Sequence, residues 1–408
     1  MEKYDVVLLA FNRWDQQSSS ATLSLAKEWS KSHRVFYIDK PYSIKDLFYF
    51  SKNKGLTKRI KALLFGKGKY TTVETGFSKF IVLTPGLNFP INFLPPGIVY
   101  NLLRKLNEYL LWRSVKQMMK EFSIENYIYI NHFFPILLPV IHSHRYKPLL
   151  NIYQSQHDIL LTRYLQKHGP QLEEYAVKHA DIVTVSSKNL YRKFSDRNTG
   201  LCYLPNAVDS DLFEAPITNP EQRPFDLENS GNTPIILFAG YLSRIRVDYV
   251  LLRELCESFP QYLVVVVGTY DEKDVLEYKL DQIHNLLLMG NRRREAIPRY
   301  VSSARVTIIP YLCNMLNKSL FPMNLNEYLA MGKPVITTNF SEDLQAYRDV
   351  IHIAGSLNDF IDAVGNAIHE KDEHIVQLRK IRASENTWIS RVDHLQQLVE
   401  KKLNSNGK

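Results

Sequence analysis

FPMNLNEYLAMGKPVITT, residues 321–338, reads as a short helix, a Gly332-Lys333-Pro334 stop and a strand. Pro322 suits the first helical turn, where its missing N–H would be unbonded in any case. Peptide N–H groups between Ser319 and Met323 are then free to meet an anion, as the amino ends of helices do. Glu327 follows about a turn later. It reads either as an acid beside its own helix dipole or as an acceptor for the two vicinal hydroxyls of a ribose.

Outward from this stretch the same unit recurs. PIILFAG, YLVVVVG, NLLLMG, RVTIIPY, PVITT and IHIAG are strand-length apolar runs separated by helix-length segments. The first half has YDVVLLAF, RVFYID, FIVLTP, YIYIN, LLNIYQ, ADIVTVSS and LCYLP, with a long helical stretch over 96–121. Such alternation predicts an α/β chain whose parallel sheets are wrapped by helices. At 408 residues the chain exceeds one ordinary core. We therefore expect two doubly wound Rossmann-like domains facing each other across a cleft. The predicted boundaries are 1–206 for the first, 207–232 for a linker rich in Pro, Asn, Asp and Glu, 233–385 for the second, and 386–408 for a terminal helix. A ligand crevice is expected between the domains, at the carboxyl ends of the strands.

The loops narrow the chemistry. No G-x-G-x-x-G follows the first strand, and no G-x-x-x-x-G-K-[ST] occurs anywhere, which argues against dinucleotide dehydrogenases and P-loop enzymes. The Ser18-Ser19-Ser20 run is read as a helix cap that could also offer donors to a phosphate. In the second half Gly240, Gly268 and Gly290 end three successive strands. Arg244 and Arg246 follow the first, and Asn291 and Arg292 follow the third. Glycine lets a ligand approach the backbone, and arginine forks match phosphate oxygens. A phosphate at the helix start, a ribose at Glu327 and a base near Gly290, Asn291 and Arg292 make the span of a nucleoside diphosphate.

On these residues the chain resembles the GT-B glycosyltransferases, specifically the retaining family-4-like, "group 1" transferases of bacterial surface polysaccharide synthesis. The matching stretches are YLPNAVDSDLF, GYLSRIRVDYVLL, NLLLMGNRRREAIPRYVSSARVTIIPY and FPMNLNEYLAMGKPVITT; HADIVTVSSKNLYRKF is similar too. The resemblance implies that Glu327 is the second glutamate of an E-x7-E motif and holds the ribose. It implies that Arg246, with Arg244, grips the pyrophosphate, and that the donor-phosphate loop falls on Lys318, Ser319, Leu320 and Phe321. His157 and Asp158 fall near the transferring sugar and are the candidate catalytic pair. The motif's first glutamate is replaced by Ser319, Asn324 stands where many relatives carry lysine, and Ala207 replaces the glycine after Asn206. The resemblance also implies a final helix crossing back to the first domain. It implies no cofactor and no metal, a UDP- or GDP-linked sugar being the substrate. Asp209-Ser210-Asp211 is accordingly read as a turn and helix cap, not as a metal site.

Charge bears on the partner. The chain carries +9, and residues 41–70, from Pro41 to Tyr70, supply +7 of it through eight Lys/Arg and one Asp. With Leu47, Phe48, Phe50, Ile60, Leu63, Leu64 and Phe65 interleaved, this stretch reads either as a surface for anionic lipid headgroups or as a solvated face. Nucleic acid is not expected, since no binding motif accompanies the charge. No run reaches the roughly 18 apolar residues of a membrane span, and MEKYDVVLLAFNRWD does not read as a signal peptide. Cys202, Cys256 and Cys313 read as buried, reduced thiols. The expected location is cytoplasmic, peripheral on the inner face of the plasma membrane if the basic stretch binds lipid. The leading expectation is a glycosyltransferase acting on a glycan or polyprenyl-linked acceptor. The alternatives are a nucleotide-sugar epimerase of the same fold and a non-catalytic nucleotide-sugar-binding subunit.

Overall fold

A computed structural model describes residues 4–15, 20–52, 54–75, 78–136, 146–214 and 223–406. Ser18 and Ser19 lie outside the described residues. The first unit holds β1 (Asp5–Ala10), β2 (Val35–Ile38), β3 (Tyr70–Thr75), β4 (Ser78–Leu83), β5 (Tyr127–His132), β6 (Leu150–Ser155), β7 (Ile182–Val185) and β8 (Leu201–Tyr203). The second holds β9 (Ile235–Ala239), β10 (Leu263–Val267), β11 (Leu286–Gly290), β12 (Val306–Ile309), β13 (Val335–Thr338) and β14 (His352–Ala354). Their sheets run β3-β4-β2-β1-β5-β6-β7-β8 and β11-β10-β9-β12-β13-β14. Strands such as β1 and β10 are runs of Val and Leu because helices cover both faces of a parallel sheet.

In each sheet the chain reverses its direction of travel beside the first strand, between β1 and β5 and between β9 and β12. Neighbouring crossovers part there, opening a crevice at the carboxyl ends of the strands. One strand went unread: β3 pairs antiparallel with β4 at the sheet edge and closes the basic stretch. Val73 is its one buried residue, so it lacks the continuous apolar run of the central strands. Cys256 is buried, Cys202 is partly buried and Cys313 is exposed, which corrects the expectation of three buried thiols.

The boundary segments pack on both units. Ala207 joins the first core with Trp388, Val392, Leu395 and Val399 of the helix Trp388–Asn406. Val208, Phe213 and Leu227 join the second core, as does Leu161 from the first unit. Val208 also bridges Thr387. Asp209 stands at the start of the helix Ser210–Phe213 but makes no side-chain cap bond. It pairs instead with Lys27 of the helix Ala21–Trp29, and Asp211 pairs with Lys27 and Lys31. Among the described residues no helix is long and apolar enough to cross a membrane.

Candidate active site

A cleft of about 970 Å³ lies between the units and is lined from both. On the second unit its floor is the carboxyl edge of β9 and β10. Gly268, at φ +149°, lies so close to the neighbouring strand that an added Cβ would stand 1.9 Å from the Gly240 carbonyl oxygen. Only glycine permits this approach. Gly240 lines the cleft; Gly290 does not. Gly290 takes φ +67° and accepts a hydrogen bond from the Gly268 N–H. Its role is to shape the edge.

The helix Met323–Ala330 enters from the side, with Pro322 at its N-cap in extended geometry and not at the first helical position. The Ser319 and Leu320 N–H groups are spent on Leu316 and Asn317 carbonyls. Among the described residues the amides of Phe321, Met323 and Asn324 have no acceptor, so the anion seat is narrower than the sequence predicts. The helix is held firmly. Asn324 donates to the Ala239 carbonyl, the Ala239 N–H donates to the Tyr328 hydroxyl, Asn326 donates to the Asn206 carbonyl, and Asn206 donates to the Phe321 carbonyl.

Glu327 is 4% exposed, lines the cleft and sits past the first turn, so the helix dipole helps it little. Its Oε1 accepts from Arg294 Nη1 at 2.9 Å. Burial raises its pKa above the usual carboxylate range, Arg294 opposes that shift, and Asp209 adds to it. Arg294 also lines the cleft, with Nε and Nη2 buried and unpartnered. The sequence reading chose Arg292 from this run, but Arg292 is engaged by Asp226 and the Tyr300 hydroxyl. Arg294 was missed because RRRE gives no sign of which arginine turns inward.

Arg244 lines the cleft edge, more than half exposed, and pairs with Asp274 and Glu277. Arg246 has no ion pair among the described residues, and its buried Nε lacks a partner, so of the two it is the cation left for a ligand. Two members of the expected phosphate loop turn away. Lys318 is exposed and does not line the cleft, because the turn Asn317–Ser319 points it outward. Ser319 is fully buried, its hydroxyl accepting from Asn189 of the first unit at 2.7 Å. Leu320, Phe321 and Asn291 do line the cleft.

Across the gap, β5 ends at His132, 4% exposed, whose Nδ1 shares a hydrogen bond with the Thr22 hydroxyl. Its Nε2 is buried and unpartnered, as is the Ser20 hydroxyl, and both residues line the cleft. Ser20 precedes the helix Ala21–Trp29 without capping it through its side chain. Phe133 then takes φ +56°, rare for a bulky residue, in a turn held by Asn131. His157 packs on the Phe133 ring at 4.4 Å, with Nε2 sharing a hydrogen bond with Thr162. Burial first, then Arg246 and His132, lower its pKa to about 3. Arg246 and His157 both line the cleft, one from each unit. Burial likewise lowers His132 to about 3. Asp158 does not line the cleft; its carboxylate caps the turn Ile159–Leu161 through the Leu160 N–H. The sequence reading stopped that strand at Asn131, one residue short of His132. The switch-point position of β5 was the signal that could have found it.

Residues 233–370 match the family described as "Glycosyl transferases group 1". The second unit is thus similar to the glycosyl transferases group 1 domains. TuaH of Bacillus subtilis (strain 168), whose name assigns it to teichuronic acid biosynthesis as a glycosyltransferase, is 25% identical over 240 residues. That match covers 56% of this chain and 59% of TuaH, so the chain spans less than two thirds of this curated relative. Sucrose-phosphate synthase from Thermosynechococcus elongatus superposes with a TM-score of 0.70 at 13% identity, over 99% of this chain and 100% of that one. Anabaena HepE in complex with UDP and glucose gives 0.62 at 14%, over 97% and 99%. The fold is GT-B, two Rossmann-like units around a cleft.

Proposed function

We propose that this chain is a glycosyltransferase that moves a sugar from a nucleoside-diphosphate sugar to a glycan or lipid-linked acceptor in bacterial surface or exopolysaccharide synthesis, with retention. The observation that carries the reading is a pairing across one cleft. An unpaired Arg246 and a free helix amino end stand on the second unit, and two neutral histidines stand on the first. The bond from the anomeric carbon to the diphosphate breaks as the acceptor oxygen bonds to the same face. The acceptor proton passes to a leaving phosphate oxygen. Charge gathers on that leaving group, and Arg246 with the Phe321, Met323 and Asn324 amides would stabilise it in a site shielded from water.

Glu327 holds the ribose in this reading, and Arg294 favours its ionised form against the effect of burial. His132 and His157, uncharged near neutrality, orient the sugar through hydrogen bonds. No metal is assigned a role, since the leaving charge already has Arg246 and the helix amino end. The relative named for teichuronic acid synthesis and the neighbour holding UDP make UDP-linked sugars the first donors to try. The basic stretch from Pro41 to Tyr70 would hold the first unit at an anionic membrane where a lipid-linked acceptor resides.

A thermal-denaturation screen of UDP, GDP, ADP and their sugar conjugates tests the proposal. A matched nucleotide at about a hundred times its Kd should add roughly 2.7 kcal/mol, and its sugar conjugate should hydrolyse slowly without acceptor. Appearance of an epimer in place of hydrolysis would make the protein an epimerase. Stabilisation with neither product would make it a binding subunit.

A further inference from the structure

We propose that the outward face of the helix Ile98–Glu121 inserts into an anionic lipid surface and seats the first unit's side of the cleft on the membrane. The inference extends the proposed membrane partner of the basic stretch with an apolar stripe that lies outside it. Leu111, Trp112, Val115, Met118 and Met119 fasten the carboxyl half of this helix to the first core. The amino half is fastened otherwise. Asn107 brackets the Phe89 backbone through both its N–H and its carbonyl, and Tyr100 stacks on His168 at 3.7 Å.

With its inner side occupied, the amino half turns Ile98, Leu102, Leu106 and Tyr109 outward, at intervals of four, four and three residues. These spacings make one stripe. Ile98 is 88% exposed and Leu102 67%, and Phe93, just ahead of the helix, is 72% exposed. A stripe of this kind normally faces a core, and here none covers it.

Charge selects the occupant. Lys105 and Arg113 border the stripe, exposed, with no ion pair among the described residues. In the helix Lys54–Phe65, exposed Lys58 and Lys61 share a face with exposed Leu64 and Phe65. Arg59 alone turns inward, to Asp15 and Asp39. The Asn88 carbonyl accepts from the Ile44 N–H, ahead of that helix, and Phe89 bonds Asn107, so one short segment ties the basic stretch to the helix Ile98–Glu121. Cations free of carboxylates, set among exposed aliphatic and aromatic groups, suit phosphate headgroups above acyl chains.

The face also borders the cleft. The Asn92 amide donates to the Tyr164 carbonyl, Lys167 donates to the Phe93 carbonyl, and His168 bonds the Leu94 carbonyl. The same segment lines the cleft through Arg163 and Gln166. A lipid-linked acceptor could thus reach the cleft while its tail stays in the bilayer.

The test is co-sedimentation of the full chain with phosphatidylcholine vesicles, with and without phosphatidylglycerol. The wild type should bind the mixed vesicles. Ile98→Ser/Leu102→Ser/Leu106→Ser should weaken binding at least about tenfold. Lys58→Gln/Lys61→Gln/Lys105→Gln should weaken it about a hundredfold at low salt, near fivefold per charge. A Leu102→Cys chain carrying an environment-sensitive dye should shift to the blue on mixed vesicles, which locates insertion without removing three core-sized groups. An unshifted dye, or a triple-serine chain that sediments like the wild type, overturns insertion while leaving the basic stretch as a membrane contact. A wild type that binds neither vesicle overturns both. Self-association lost in the triple-serine chain, without vesicle binding, makes the stripe a protein interface and overturns the proposal. Nucleotide-dependent thermal shifts, read in parallel, report separately on the donor site.

Discussion

Replacing Glu327 by glutamine separates two jobs of one carboxylate, its pairing with Arg294 and the ribose binding proposed for it. Oε1 takes Arg294 at 2.9 Å, in a pair almost closed to solvent. Alanine would strand a buried guanidinium whose Nε and Nη2 already lack partners, and breaking such a pair costs about 3–5 kcal/mol of stability. Glutamine keeps the volume and one acceptor oxygen, so its own oxygen can still meet Arg294 at a smaller cost. It cannot also accept from two ribose hydroxyls as an anion. The loss of a charge-assisted bond is about 1.5–3 kcal/mol, or roughly a 10- to 100-fold rise in Kd for the best nucleoside diphosphate. Calorimetric titration measures it, with urea denaturation run alongside to exclude unfolding. The decisive control is a 2′-deoxynucleoside diphosphate. It should cost the wild type a similar loss and cost E327Q little more, because the two changes remove the same bond. Penalties that simply add, or an E327Q affinity equal to the wild type, would refute the ribose assignment. Since burial raises the pKa of Glu327 and the bond needs the anion, wild-type affinity should also fall as pH drops through that raised value.

Gly268→Ala would drive a methyl into the Gly240 carbonyl and place a side chain at φ +149°; strain and overpacking together should cost about 2–6 kcal/mol in urea denaturation. The pH dependence of stability gives another check. His132 is held near pKa 3 against an ordinary 6.5, so the unfolded chain binds the extra proton between those values and stability falls as pH drops below 6.5. From pH 7 to 5 the loss from His132 should be about 2 kcal/mol, and it should be missing in His132→Gln. Asp39, which burial raises to about 6, works in the opposite sense. Comparing wild type with variant isolates the histidine. An equal loss in both chains would mean His132 is not buried and neutral.

Much of the fold was legible because central strands of parallel sheets are continuous apolar runs, and helices between them have helical lengths. Thirteen of the fourteen described strands announce themselves this way; β3 does not, being an edge strand with Val73 as its one buried residue. The second unit's side of the cleft was partly legible. Gly240, Arg246, Phe321 and Glu327 follow from strand ends and a helix start, and all four line the cleft. The misplacements have local causes. Lys318 and Ser319 sit in a tight turn that aims one at solvent and the other at Asn189. Asp158 caps a turn.

Alternating hydrophobicity, glycine at three strand ends and a charge excess confined to one stretch are properties of short segments, so the sequence alone determined two doubly wound units and a helix start near residue 322 that lines the cleft. Which cations remain free for a ligand was decided only by tertiary structure. Arg244, Arg292 and Arg294 look alike in the chain, yet carboxylates 30 to 66 residues away engage each of them, while Arg246 meets none among the described residues. The same holds for His132, whose neutrality comes from burial beneath elements distant in sequence. A charge or a proton is governed by what surrounds it in space, and that neighbourhood exists only after the sheets have brought remote segments together.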